Sequence, residues 1–317
     1  MDGSGRDPTN TEQPGLGSEP PEGDTGELFR TAFDRAPIGM ALVARDGKFL
    51  KVNRSLCDIT GYSENELLAR TLHEITHPDD LPAGLEHARR AVEEKVRTYR
   101  LEQRYRRAPG GIVWGRLNVS VATDSKGRVG HLICQIEDIT ERKEAEERLL
   151  HQALHDPLTE LPNRILFMDR LRHALARSER QRSPVAVLFV DLDHFKTIND
   201  ELGHRAGDEM LHSVARKIER AVRPSDTVAR IGGDEFAVVC EDMSAEKDAV
   251  LVAERLCNSL NEPVQLKEGT GAITASIGIA FAQEGDHPDS LLRNADAAMY
   301  KVKEGGRGSY EIFLDAL

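Results

Sequence analysis

The sequence predicts an α+β protein of two domains joined by a helix, and three observations carry that reading. In the first half, two short strand-like runs are followed by short helical segments and then by three longer strand-like runs. In the middle, Glu137 to His155 contains no glycine or proline and alternates its charges at helical spacing. In the second half, long amphipathic segments alternate with apolar runs too short for helices, an order that fits an antiparallel sheet packed against helices. At 317 residues the chain is long enough for each half to bury its own core.

Residues 1 to 25 are rich in Gly, Pro, Ser, Thr and acids and nearly devoid of apolar groups, so they cannot repay their ordering entropy; a disordered tail is expected. Leu28, Phe29, Ala32 and Phe33 then recur at helical spacing until Pro37-Ile38-Gly39 ends the helix. Met40 to Val43, the turn Asp46-Gly47-Lys48, and Phe49 to Asn53 form a hairpin. Short helices follow around Leu56 to Thr60 and from Ser63, where Ser63-Glu64-Asn65-Glu66 has the form of a capping box. His77-Pro78-Asp79-Asp80 opens a longer helix. Arg100 to Arg106, Ile112 to Thr123 and Val129 to Ile136 read as three antiparallel strands, with turns at Pro109-Gly110-Gly111 and Asp124 to Gly127.

In the connecting helix, Ile139, Ala145, Leu149 and Ala153 make a thin apolar stripe, suited to a two-helix seam between protomers. Beyond it, helices are expected at about 162–180, 206–222, 245–260 and 288–304, strands at 185–190 and 272–281, and a hairpin at 227–240. Val185 to Val190 is an unbroken apolar run, the mark of a strand buried on both faces, and it leads into Asp191-Leu192-Asp193. The hairpin tip is Gly232-Gly233-Asp234-Glu235, two glycines that let a ligand approach the backbone and then two acids. If strand and hairpin are neighbours, Asp191, Asp234 and Glu235 converge at one edge of the sheet. Three carboxylates with no base nearby in sequence repel one another unless a hard cation lies between them. Oxygen-only ligands suit magnesium, which commonly also holds substrate phosphates.

The second half resembles a GGDEF domain, the catalytic domain of diguanylate cyclases. The series runs through Asp156-Pro157-Leu158-Thr159, Leu161-Pro162-Asn163-Arg164, Asp191 to Lys196, Asn199-Asp200, Gly203-His204, Gly207-Asp208 and Gly232 to Phe236. It ends with Ala295 to Tyr300 and Lys303 to Arg307. The first half resembles a PAS domain, on Asn53, Gly61-Tyr62, His77 to Asp80, Trp114 and the closing Asp138 to Lys143. The implied architecture is a PAS-like antiparallel sheet domain (26–136), a helical linker (137–155) and a palm-like, nucleotidyl-cyclase-like GGDEF domain (156–317).

The resemblance implies a sensor-regulated diguanylate cyclase that joins two GTP into cyclic di-GMP with release of pyrophosphate. It assigns magnesium or manganese to Asp191, the Leu192 carbonyl, Asp234 and Glu235, and catalysis to Asp234, Glu235 and Lys196. The terminal phosphates fall to the turn through His194 and Phe195, to Lys196, and to Lys303 and Arg307. Asn199 and Asp208 read guanine; the alternatives for them are a turn-forming Asn and a helix-capping Asp. Arg223 and Asp226 stand at the family's inhibitory product site, against the alternative of a local surface ion pair. One GTP per domain implies a homodimer through PAS domain and linker. A catalytically silent domain that binds GTP or cyclic di-GMP as a receptor is the rival reading, and a PAS interaction scaffold a third.

The balance of 42 basic and 54 acidic residues, net -12, disfavours nucleic-acid polymers as partners, because those require a basic face. No apolar run approaches the roughly 18 residues of a membrane span and the start lacks a signal-peptide pattern, so a cytoplasmic protein without membrane insertion is expected. Cys57, Cys134, Cys240 and Cys257 are scattered, which argues for reduced thiols over a zinc site or disulfides. Cys57 lacks the context of a flavin-linked cysteine. His87 is the one candidate for a haem ligand and His77 reads as a turn cap, so the PAS ligand stays open.

Overall fold

The computed structural model describes residues 25–93, 96–123, 129–267 and 269–314; the expected turn at Asp124 to Gly127 and all of the expected tail over residues 1–25 except Thr25 lie outside them, and Thr25 begins a helix instead. The chain divides into two units, Met1–Glu146 and Glu147–Leu317.

Unit 1 contains α1 (Thr25–Arg35), β1 (Gly39–Val43), β2 (Phe49–Val52), α2 (Arg54–Thr60), α3 (Glu64–Leu68), α4 (Leu72–Ile75), α5 (Leu81–Glu93), β3 (Thr98–Arg106), β4 (Ile112–Thr123) and β5 (Val129–Asp138). Its sheet runs β2-β1-β5-β4-β3, antiparallel throughout. Burial alternates along β4, so one face packs on the core and the other meets solvent. That core joins Val43, Phe49 and Leu117 of the sheet with Leu56, Leu67 and Ile75 of the small helices.

Asn53 sets the entry to those helices. Its Oδ1 accepts from the Leu56 amide (2.9 Å) and the Met40 amide (2.8 Å), while Nδ2 donates to the Phe33 and Ile38 carbonyls. The expected capping box at Ser63 and Glu66 is present, and Thr71 with Glu74 forms a second one that starts the unforeseen α4. His77 Nδ1 accepts from the Asp79 amide (3.3 Å), in keeping with a turn cap. Asp80 holds α5 to β3 through Arg104, whose amide, Nε and Nη2 all donate to its carboxylate at 2.7–3.0 Å.

The connecting helix α6 (Thr140–Leu154) starts later than expected. Glu137 and Asp138 belong to β5, paired with Arg116 and Gly115 of β4, because strand pairing satisfies their backbone before the helix can begin. Ile139, expected on the helical stripe, is buried, and its amide donates to the Trp114 carbonyl. Leu149 and Leu150 are exposed, and no described residue of α6 is buried.

Unit 2 continues with α7 (Arg164–Gln181), β6 (Ala186–Asp193), α8 (Phe195–Leu202), α9 (His204–Ala221), β7 (Thr227–Gly232), β8 (Glu235–Cys240) and α10 (Lys247–Asn261). It closes with β9 (Val264–Leu266), β10 (Gly269–Gly271), β11 (Thr274–Phe281), α11 (Pro288–Gly305) and β12 (Tyr310–Ile312). The main sheet runs β12-β11-β6-β8-β7, antiparallel except for the β11–β12 pair. Every residue of central β6 is buried, as the apolar run implies. Ala186, Leu188, Val190 and Leu192 face a core shared with α9 and α10, whereas Val187 and Phe189 face one shared with α7 and α11. Alternation by twos puts Asp191 and Asp193 on the α11 side. There α11 lies directly on the sheet at Gly278, where an added Cβ would stand 1.9 Å from the Ala295 carbonyl oxygen.

Candidate active site

The end of β6 and the β7–β8 tip form the site. Register places Asp191 opposite Glu235 on β8 and opposite Ser276 on β11. Gly233 at the tip has φ 51°, in the left-handed region, and the Leu192 amide donates to the Asp234 carbonyl at 3.2 Å. The backbone thus gathers the three acids, Asp191, Asp234 and Glu235, at one sheet edge, as the sequence anticipates. Among the described residues, no three His, Cys, Asp or Glu side chains stand in metal-holding geometry.

Two like charges opposite each other on a sheet are destabilising, and the site shows the stress. Burial pushes the Asp191 carboxyl above its ordinary range, and Asp234 and Asp193 add to that, although Lys303 opposes it through an ion pair at 2.7 Å. Glu235 is also pushed up, first by burial and then by Asp191, Asp296 and Asp234. Oxygen-only donors short of positive charge fit a hard divalent cation such as magnesium or manganese.

Asp193, two residues on, is the contrasting case. Its Oδ2 accepts from Thr274 Oγ1 (2.6 Å) and the Gly308 amide (3.0 Å), its Oδ1 accepts from Ser276 Oγ (2.8 Å), and Arg307 Nε lies 4.0 Å away. Sequence reasoning gave it no role. Here it fastens the turn after α11, and with it Arg307, to the strand.

Two further residues escaped a role in the sequence reading. Arg230 Nε and Nη2 donate to the Gly233 carbonyl at 3.0 and 2.7 Å, while Nη1 donates to Asp156 Oδ1 at 2.9 Å. Burial raises the Asp156 carboxyl, but hydrogen bonds from Thr159 and Arg230 outweigh it and leave it below the ordinary range. The hairpin tip is thereby tied to the turn before α7. No local sequence signal marks this pairing, since 74 residues separate Asp156 from Arg230.

The remaining residues stand as follows. His194 has φ 59°, N-caps α8 and makes no side-chain cap bond, which leaves the turn at His194 and Phe195 as a start of helix with Lys196 exposed beside it. Asn199 lies inside α8 rather than in a turn. Asp208 lies in the body of α9 rather than at its cap. The Asn199 amide oxygen packs on Gly207, where a Cβ would meet it at 2.0 Å, so Asn199 and Asp208 share one locality. At the second site Asp226 accepts from the Arg223 and Glu241 amides (2.8 and 3.2 Å). The Arg223 guanidinium instead faces Asp248 at 3.8 Å, so the local Arg223–Asp226 ion pair is not the arrangement found.

Comparison with known proteins identifies both halves of the chain. The family described as diguanylate cyclase, GGDEF domain, matches residues 153–309, and a PAS fold matches residues 49–136. Diguanylate cyclase TpbB of Pseudomonas aeruginosa is 47% identical over 163 residues, covering 51% of this chain and 38% of its own length. An uncharacterized signaling protein of Caulobacter vibrioides is 35% identical over 310 residues, 94% of this chain and 37% of that protein. The crystal structure of the coiled coil and GGDEF domain of DgcB from Caulobacter crescentus, in complex with c-di-GMP, is 33% identical. It superposes with a TM-score of 0.51 over 55% of this chain and 93% of that one. The chain belongs to the GGDEF family of diguanylate cyclases, with a PAS domain N-terminal to the GGDEF domain. It spans less than two fifths of the length of these two curated relatives. Among the described residues, no helix is long and apolar enough to cross a membrane.

Proposed function

We propose that the protein is a sensor-regulated diguanylate cyclase, condensing two GTP into cyclic di-GMP and two pyrophosphate. The observation that carries the reading is the Asp191–Glu235 register pair beside the Asp234 tip, an anionic edge whose nearest cation is Lys303. Asp191, the Leu192 carbonyl, Asp234 and Glu235 would hold magnesium or manganese. Bound there, the metal polarises the α-phosphate and eases deprotonation of the attacking 3′-hydroxyl. The protein's own part is positioning and charge. The amides at His194 and Phe195, with Lys196, take the terminal phosphates, while Lys303 and Arg307 neutralise them from the α11 side. Asn199 and Asp208 select guanine, because a carboxylate accepts from N1 and N2 where adenine offers no such donors.

Each domain holds one GTP, so two copies must face each other, and the PAS domain (26–136) and linker (137–155) bring the catalytic domains (156–317) together. Arg223 and Asp226 form an inhibitory product site. With Asp226 already accepting from two amides, its remaining lone pairs would meet guanine, and Arg223 would exchange Asp248 for the product.

Incubation of purified protein with GTP and magnesium, followed by mass identification of the products, tests the reading. Cyclic di-GMP is expected, and the Asp208→Ser variant should lose preference for GTP over ATP. Tight GTP binding without turnover would replace the cyclase with a silent receptor.

A further inference from the structure

Unit 1 has a partly open pocket of about 340 Å³ between the inner face of its sheet and helices α4 and α5. Val43, Leu72, Leu85, Leu117 and Leu132 supply its aliphatic wall. Gln103 of β3 also lines it and is only 3% exposed. The Gln103 Nε2 donates to the Tyr105 hydroxyl at 2.8 Å, but its Oε1 is buried without a hydrogen-bond partner. Among the described residues it is the one buried side-chain polar atom in that condition. Leaving such an acceptor unmade is costly, and a guest that donates to it removes that cost.

Space has been kept in front of that oxygen. Gly84 of α5 stands against it, and a Cβ there would lie 3.2 Å from Gln103 Oε1. Glycine is unfavourable within a helix, so its presence opposite this unpartnered acceptor is a second observation pointing to the same spot.

The surroundings define what can fill it. The charged groups of the lining, Arg45, Arg89 and Glu93, are all exposed, and Arg89 is engaged by Glu86 and Glu93, so the interior of the pocket offers no charge to an ionic guest. His87, the haem candidate of the sequence, is not part of the lining; its Nδ1 donates to the Ala83 carbonyl (2.8 Å) and its ring lies by Tyr99. The volume is at the small end of the roughly 300–1,000 Å³ of ligand pockets.

We propose that unit 1 binds in this cavity a compact, uncharged, mostly apolar molecule of one or two rings that donates an N–H or O–H hydrogen bond to Gln103 Oε1. The guest completes the hydrogen bonding of Gln103 and fills the space between β3 and α5.

The test uses the full chain and matched neutral probes with and without the donor: indole against indene, and phenol against toluene. Affinities come from ligand-observed NMR and from the shift in thermal unfolding. Each donor should bind about tenfold more tightly than its partner. In Gln103→Leu/Tyr105→Phe, which removes both members of the buried pair, the preference should vanish with unliganded stability retained. Gly84→Ala, which favours the helix and crowds the amide, should weaken the two donors about tenfold and leave indene and toluene nearly unchanged. Absence of binding by all four probes overturns the proposal, as does equal affinity within each pair or a donor preference that survives in the double variant.

Discussion

Both units hang on a five-stranded sheet, yet they keep their polar groups in opposite places. In unit 1 only one face of the sheet is covered, and small helices leave room between themselves and the strands, so the polar group of interest, Gln103, is inside. In unit 2 helices cover both faces, β6 is buried along its whole length, and the acids of interest stand at the strand end. A sheet packed on both sides has no interior to lend, and its chemistry moves to the edge, where the backbone turns and ions can arrive.

The largest effect that sharpens this contrast is on activity. Asp234→Ala and Glu235→Gln should each lower cyclic di-GMP formation by about a hundredfold or more while leaving the unfolding transition in place, because these groups serve no core. A large loss of stability would show that the strand end is part of the scaffold and break the comparison. The next effect separates tip from support. Arg230→Ala removes the partner of a largely buried Asp156 and frees the Gly233 carbonyl, so unit 2 should lose about 3 kcal/mol in denaturant unfolding, with activity falling alongside. Unchanged stability would mean that the hairpin needs no tie.

The smallest effect lies in unit 1 and depends on pH. Hydrogen bonds from Arg104 hold the Asp80 carboxyl below its ordinary range. A depressed folded pKa gives stability that is present above the unfolded value, about pH 4, and lost as pH falls through the folded one. Asp80→Asn should therefore cost about 2 kcal/mol at neutral pH, and wild type and variant should converge in acid. A difference that persists undiminished in acid would assign the effect to packing instead.

The sequence disclosed what lies close along the chain. The apolar run of β6, the Gly-Gly tip and the acids beside them could be read directly, since strand, turn and carboxylates adjoin. The Ser63 capping box was equally local. What escaped was made by folding: Lys303 reaches Asp191, and Gly308 reaches Asp193, across more than a hundred positions. α8 was missed because it starts from a left-handed His194 without a side-chain cap, and β9, β10 and β12 are three residues each, too short for periodicity to register. The vacant acceptor of Gln103 had no sequence signature, because a glutamine in an alternating strand reads as solvent-facing.

Gly278 carries a consequence for how variation in this protein is to be read. It sets the standoff of α11 from the sheet, and α11 carries Lys303 and leads to Arg307. A methyl group there cannot be absorbed by a rotamer change, since what it meets is the backbone of Ala295, Ala298 and Met299. The helix would ride up and lift both cations away from Asp191 and Asp193. An alanine at this position, outside the residues proposed to meet a nucleotide, would thus act as a change of focal length: every component of the site intact, the image no longer formed.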